Sequence, residues 1–539
     1  MAIPPGVSER DWTAAIKEFE EAVGAQWVFT SSEDIALYRD AYSPLWGEPE
    51  ERLASGAVAP DTTEQVQRIV RTANTYKIPL YAIATGRDLG YGGSAPVLSG
   101  SVVVDLKRMN RVIEVDDKRH FAIVEPGVAY FDFYRHIQER KLKVWIDCPD
   151  PGWGSVVGNA LDHGVGYTYG AYRDHFGSHS GLEVVLPNGD LVRTGMGAMP
   201  NAPTWGEYRY GYGPYADGLF SQGNFGIVTK MGIHLFPQPE AYVSGTVTVP
   251  RREDITPLVE VMNYLEHTGV TGQPNYSSPL ARLARDPELV ALASKPGGPV
   301  PAEVDRFAAQ RGVGSWSLEL QFYGGAKVVA AQWEFAKERF SAIRGAQFTD
   351  GHSYRLPMTP DEEDKAHKVA FGIPNLAIFA GGARSEQNPS PRDGHVFFAP
   401  VIPKNGEAIL EAMRAFNPVV IEGGLPQMAS WFRGPNTWAY RTFVWLFGLP
   451  VSRSNKADNK KVRDVMERLI QVAADRGWGE YRAAPAFHDA IMNTYSFNNN
   501  ALRRMHETLK DAVDPNGILG AGRYGVWPKH LREARGRRA

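Results

Sequence analysis

Cysteine is almost absent: Cys148 is the single one in 539 residues. That excludes an internal disulfide, a CxxC redox pair and any zinc or iron–sulfur site built on several thiolates. A charge excess is missing too, since 58 Lys and Arg stand against 61 Asp and Glu, a formal net charge of −3. No bulk field therefore exists to recruit nucleic acid, and the one clearly basic stretch, the terminal HLREARGRRA, is a solvated tail. No run approaches the roughly 20 apolar residues of a membrane-spanning helix. The segment MAIPPGVSERDW also lacks the basic start and apolar stretch of a signal peptide, so the expectation is a cytoplasmic protein without a membrane partner. Internal repeats and low-complexity tracts are likewise missing, which argues against a solenoid.

The length is enough for two or three domains, each with its own core. With one cysteine, redox chemistry has to come from a bound cofactor. The 13 Trp, 23 Tyr and 24 Phe can line a pocket for a flat ligand or fill an aromatic core.

Along the chain, Asp61 and Glu64 have the spacing of a capping box ahead of Val66, Ile69, Val70 and Ala73, which predicts a helix over 62–76. A short buried strand over 78–84 leads into a glycine-rich loop, 85–93. Strands follow over 102–106, 112–115 and 121–125, then a helix over 130–140. Asn188-Gly189 between the apolar runs 182–186 and 190–194 predicts a hairpin, and a strand over 226–235 ends at Pro237. Beyond about 240 amphipathic helices dominate, near 253–267, 327–343, 405–415 and 459–476, with strand-like pieces over 315–323 and 395–401.

The loop segment Gly90-Tyr91-Gly92-Gly93-Ser94-Ala95 formally matches GxGxxA, but Pro96 follows at once and no helix can begin there as a Rossmann site requires. Consecutive backbone N–H groups in such a loop can still cradle phosphate; the alternative is an ordinary surface turn. His175 and His179, four apart, lack the Glu of an HExxH motif, and the expectation is no metal.

The loop recurs with five further blocks: Asp147–Asn159 (DCPDPGWGSVVGN), DHGVGYT from Asp162, GNFGIVT from Gly223, Trp478-Gly479-Glu480-Tyr481-Arg482, and DPNGILG from Asp514. In this order and spacing they closely resemble the vanillyl-alcohol oxidase and para-cresol methylhydroxylase flavoprotein family, in its branch that oxidises 4-substituted phenols. The resemblance covers most of 1–238 and 478–539 and is weak over 240–477, apart from the strand around His395. It implies an α+β, two-domain FAD-binding fold with an inserted cap. Residues 1–240 and 478–539 would form the flavin domain and 241–477 the cap (substrate) domain.

The resemblance also implies roles. Thr85, Gly86, Arg87, Asp88, Leu89, Gly90 and Gly92 would cradle the pyrophosphate, with Gly158, Asn159, Gly226, Ile227, Val228 and Arg523 lining the rest of FAD. His395, in DGHVFFAP, matches the residue bearing an 8α-histidyl link to the flavin. The helper histidine of vanillyl-alcohol oxidase has no counterpart, since the first histidine here is His120. Tyr91, Tyr481 and Arg482 match a phenolate-binding trio, and Asp150 an acid beside flavin N5, acting as base on water or on the β-carbon. Read alone, Tyr91 is a loop aromatic, Tyr481-Arg482 an ion-pairing site and Asp150 a turn residue; His163 is either a flavin contact or structural. Strand alternation places His395, Phe397 and Ala399 on one side, so Phe397 and Ala399 are expected at the pocket, shortening it to favour a compact para substituent.

The implied activity is FAD-dependent oxidation of para-alkylphenols through a para-quinone methide. Oxygen would reoxidise the flavin and release hydrogen peroxide, in a homodimer. A cytochrome-linked dehydrogenase, its haem on another subunit, and a non-catalytic flavin or aromatic-ligand binder stay open beside it.

Overall fold

A computed structural model describes residues 3–278, 280, 283, 286–293, 295, 300–377, 393–425 and 439–536. The first sheet has the strand order Val28–Phe29, Gly56–Val58, Val102–Asp105, Leu80–Ile83, the last three parallel. Helix Thr63–Tyr76 lays Val66, Ile69, Val70 and Ala73 against it, beside Trp12, Ala15 and Phe19 of helix Glu9–Val23. Both helices present an apolar stripe at 3.6-residue spacing, and burying it is what holds them to the sheet.

The helix over 62–76 forms, but its cap is Thr62, whose hydroxyl accepts the Gln65 N–H; Asp61 instead donates its backbone N–H to Gln65 Oε1. A second, antiparallel sheet runs in the order Val112–Asp116, Phe121–Val124, Ile227–His234, His179–Val185, Leu191–Arg193. Its last two strands are the hairpin read from Asn188-Gly189. Val185 and Ile227 of this sheet share a core with Val58, Leu80 and Val102 of the first. The C-terminal segment returns to the same unit: Leu80 N–H donates to Ile518 O and Leu80 bridges Leu519.

A third sheet, antiparallel, has the order Asn275–Ser277, Trp316–Gly324, Ala241–Val249, Gln347–Arg355. Helices Ile255–His267, Ala326–Phe340, Gly406–Glu422 and Lys456–Ala474 share its core. The helix expected over 405–415 runs through Pro418 to Glu422, because Phe416, Val419 and Val420 are buried in that core and packing outweighs the lost backbone bond. The strand expected over 395–401 is two strands, Asp393–Phe398 and Val401–Pro403, paired with Phe447–Ser452 and Thr442–Val444.

Candidate active site

The glycine loop leaves the edge of the first sheet after Ile83, and the chain stays non-helical until Val102. Two of its glycines are required by what approaches them. Gly90 has φ +86°, and a Cβ there would stand 3.0 Å from the Phe397 ring and 3.2 Å from that of His395. Gly92 has φ +120°, and a Cβ would meet Pro485 at 2.7 Å. The loop is thus clasped between the strand Asp393–Phe398 and the segment after Arg482. Among the described residues, the backbone N–H groups of Arg87, Asp88, Leu89 and Gly90 donate to no protein acceptor, while those of Tyr91 and Gly93 turn back onto Asp88 O. A run of unpaired donors fits a pyrophosphate cradle.

Behind the loop, Gly158 packs so closely that a Cβ would lie 2.9 Å from Ala84 Cβ. The Asn159 side chain turns inward to Tyr130 and His175. Ile227 and Val228 bury their side chains in the core on either face of their strand, leaving only backbone to face a cofactor; Gly226 packs on Val184 and Phe220.

On the strand Asp393–Phe398, Val396 and Phe398 are fully buried, while His395 and Phe397 face the loop. The His395 ring lies against Phe397 and Tyr42, centroids 4.3 and 5.0 Å away, and has no hydrogen-bond partner among the described residues. Burial lowers its pKa to about 4, so the imidazole is neutral and nucleophilic at ordinary pH. Ala399, also expected at the pocket, is fully buried and takes part through its backbone: its N–H donates to Glu480 Oε2 at 2.7 Å, and its carbonyl accepts the Tyr481 N–H.

Tyr91, Tyr481 and Arg482 come together from positions 390 residues apart. The guanidinium carbon sits 4.0 Å from the Tyr91 ring centroid and 5.2 Å from that of Tyr481, and Phe397 stacks on Tyr91 at 5.1 Å. The Tyr481 hydroxyl is buried within reach of the Tyr91 hydroxyl, and Arg482 Nε is buried with no hydrogen-bond partner among the described residues. Polar atoms left this way are expensive unless a ligand satisfies them. Burial raises both tyrosine pKa values, and Arg482 opposes the rise. The hydroxyls therefore stay protonated, as donors, beside a permanent cation.

Asp150 does not touch the trio. It lies with Tyr167, whose hydroxyl it accepts, and with His367; the Tyr167 and His367 rings meet edge-on at 5.6 Å. Burial raises the Asp150 pKa, against the pull of Tyr167 and His367, which suits a group that must take up a proton. Arg523 binds the Tyr81 hydroxyl at 2.6 Å and Asp162 at 2.9 Å. His163 lies against Phe176, centroids 5.4 Å apart.

His175 and His179 lie in a turn and on a strand, not on one helix face. His175 contacts Asp147, Asn159 and Tyr130, and His179 contacts Asp217, Phe176 O and Tyr215. Among the described residues, no group of three or more His, Cys, Asp or Glu could hold a metal ion, and no helix is long and apolar enough to cross a membrane.

Two acids escaped the sequence reading, although both lie inside recognised blocks. Asp162, of DHGVGYT, accepts from Arg523 and Tyr524 and lies 3.7 Å from Arg482. Glu480, beside Tyr481, is buried; burial raises its pKa to about 8, against the Ala399 N–H, and its Oε1 has no partner among the described residues. An acid protonated in the folded state and ionised in the unfolded one loses stability as pH rises from the unfolded to the folded pKa. Glu480→Gln keeps the acceptor without the charge. Its melting temperature should match wild type near pH 4 and exceed it increasingly up to about pH 8, by an amount worth on the order of a few kcal/mol. Equal melting curves at pH 9 would contradict this.

The comparisons with known proteins agree with this geometry. Residues 54–195 match the FAD binding domain model. The 4-cresol dehydrogenase [hydroxylating] flavoprotein subunit of Pseudomonas putida is 31% identical over 538 residues, covering 97% of each chain. The structure of a 4-ethylphenol oxidase from Gulosibacter chungangensis, in complex with isoeugenol, superposes with a TM-score of 0.83 at 33% identity, over 98% of this chain and 100% of that one. The substrate-bound crystal structure of p-cresol methylhydroxylase gives 0.83 at 30% identity, over 98% and 99%. Fold, matched domain and relatives together define an FAD-dependent oxidoreductase. The chain belongs to the vanillyl-alcohol oxidase and para-cresol methylhydroxylase family of flavoproteins, the phenol-oxidising enzymes.

Proposed function

We propose that this enzyme oxidises 4-alkylphenols at the carbon para to the hydroxyl. Residues 1–240 with 478–539 hold the cofactor, and 241–477 cap it. The observation that carries the reading is the buried pair of hydroxyls of Tyr91 and Tyr481 beside an Arg482 guanidinium that lies over Tyr91 and whose Nε has no partner among the described residues. These groups suit an aromatic oxyanion: two neutral hydroxyl donors and one fixed cation.

FAD held on the Arg87–Gly90 cradle, with His395 as its covalent 8α-histidyl anchor, supplies the acceptor for a hydride. Arg482, Tyr91 and Tyr481 bring the substrate phenol, with an ordinary pKa of about 10, down toward ionisation. The phenolate charge is delocalised to the para carbon, so the same three groups hold the oxygen as the ring becomes a para-quinone methide. Asp150 then takes a proton, either from the water adding to that carbon, which gives an alcohol, or from the β-carbon, which gives a vinyl phenol. Phe397, beside His395 on the loop-facing side of its strand, shortens the space for the para substituent. 4-Ethylphenol should thus exceed eugenol in kcat/KM by about tenfold or more, a preference that Phe397→Val should narrow; a clear preference of wild type for eugenol would refute this.

We take the flavin to be reoxidised by oxygen, giving hydrogen peroxide, in a homodimer. The similarity to a 4-cresol dehydrogenase flavoprotein subunit favours a second reading, in which a cytochrome is the acceptor. Stoichiometric peroxide release on mixing with 4-ethylphenol in air supports the first; turnover only with an added cytochrome or artificial acceptor supports the second. For the linkage, flavin colour should stay with acid-precipitated wild type and pass to the supernatant from His395→Ala. Colour in the supernatant of both would refute it.

A further inference from the structure

Asp88 and Asp162 meet beside Arg482, both facing its Nη1. Asp162 is 4% exposed. Its Oδ1 accepts Arg523 Nη2 at 2.9 Å and the Tyr524 hydroxyl at 2.6 Å, and its backbone carbonyl accepts Arg482 Nη1 at 3.4 Å. Its Oδ2 is buried and has no N–H or O–H donor within hydrogen-bonding range among the described residues; Arg482 Nη1 stands off at 3.7 Å. Asp88 presents Oδ1 to the same nitrogen at 3.9 Å, and its carboxyl is within hydrogen-bonding reach of Asp162. Two ionised carboxylates at that separation repel. One proton between them supplies the donor that Oδ2 lacks.

We propose, building on the phenol-oxidising reading, that Asp88 and Asp162 share one proton, making Asp88 a positioning residue that leaves Arg482 free to hold the substrate phenolate. The charges around the pair support this. Arg482 and Arg523 are the cations facing it, with Tyr81, Tyr481 and Tyr524 close to both acids and His163 and His488 close to Asp162. Burial lowers the pKa of both histidines, that of His488 to about 3, and raises that of the tyrosines, so these five groups are neutral. Two guanidinium charges then face one carboxylate charge, and a single positive charge is left for the ligand. Ionising Asp88 would cancel it. Burial and the Asp162 charge raise the Asp88 pKa, although its side chain keeps 37% exposure, while Arg523 and Arg482, against burial, hold Asp162 below the usual carboxylate range. The proton therefore belongs mainly to Asp88, and it leaves as pH rises above the ordinary aspartate range.

The test uses the flavin-loaded enzyme and 4-nitrophenol, whose ionised form has its own absorption band and whose para group offers no hydride. In wild type, affinity for the phenolate form should fall about tenfold between about pH 6 and pH 10, at a titration point above the ordinary aspartate range. In Asp88→Asn, which keeps an amide donor for Oδ2, it should stay flat over that range. In Asp162→Asn the fall should move to lower pH, since Asp88 loses the neighbouring charge that adds to burial in raising its pKa; this variant carries the test if Asp88→Asn does not load flavin. A wild-type-like fall in the variants overturns the shared proton. Absence of bound phenolate in wild type at every pH overturns the phenol reading itself, and this inference with it.

Discussion

Replacing Arg482 with lysine is expected to lower kcat/KM for 4-ethylphenol by about 10²- to 10³-fold, the loss found when one preorganised donor to a developing anion is removed. Lysine keeps the charge, so the prediction turns on shape. The guanidinium lies over Tyr91, its carbon 4.0 Å from the ring centroid, within reach of Tyr481, and its Nη1 also donates to Asp162 O. An ammonium at the end of a flexible stem cannot hold these positions together. Because binding and activation of the phenolate use the same contacts, both KM and kcat should suffer, and the bound 4-nitrophenolate band should weaken in parallel. A lysine variant with unchanged kcat would mean that Arg482 contributes charge alone, at a distance.

Asp150→Asn is expected to act differently. Its contacts are with Tyr167 and His367 rather than with Tyr91, Tyr481 and Arg482, so phenol binding should be left nearly intact. The loss should fall on kcat, by about 10²- to 10⁴-fold, the usual contribution of a positioned general base. The raised pKa gives the sign of the pH effect: in wild type, kcat should rise through a pKa above the ordinary aspartate range as the carboxylate forms, and the asparagine variant should lack that limb. A variant that loses phenol affinity but keeps kcat would move Asp150 into the binding role and remove it from proton transfer.

Much of this site was readable in the sequence because its parts are local. The glycine loop with Pro96 excludes a following helix on chain geometry alone, and strand alternation correctly puts His395 and Phe397 on the face opposite Val396 and Phe398. Ala399 departs from the alternation because the strand has ended at Phe398. Its backbone then bonds across to Glu480 and Tyr481, and Pro400 has no N–H with which to continue the ladder. The cap of helix Thr63–Tyr76 was misjudged by one residue because Asp61 and Thr62 are both good capping residues; only the observed turn shows which hydroxyl or carboxyl reaches the first N–H groups.

What stayed hidden is the chemistry that arises from convergence. Asp162 has the same neighbours in sequence as any turn residue. Its meaning comes from Tyr81, Asp88, Arg482, Arg523 and Tyr524 arriving from three separate segments, and from one oxygen left without a donor among the described residues. Glu480 was in view within Trp478–Arg482, yet its burial depends on the strand around Ala399 closing over it. Neither acid could be told from a solvated one without the packing around it.

The most direct test of the central claim compares 4-ethylphenol with 4-ethylanisole, its methyl ether, under anaerobic conditions. The two share the para ethyl group and differ in whether the ring oxygen can ionise in the grip of Tyr91, Tyr481 and Arg482. The account predicts rapid loss of the oxidised-flavin absorbance with the phenol and none with the ether on the same timescale. Equal bleaching by both, or by neither, would contradict it.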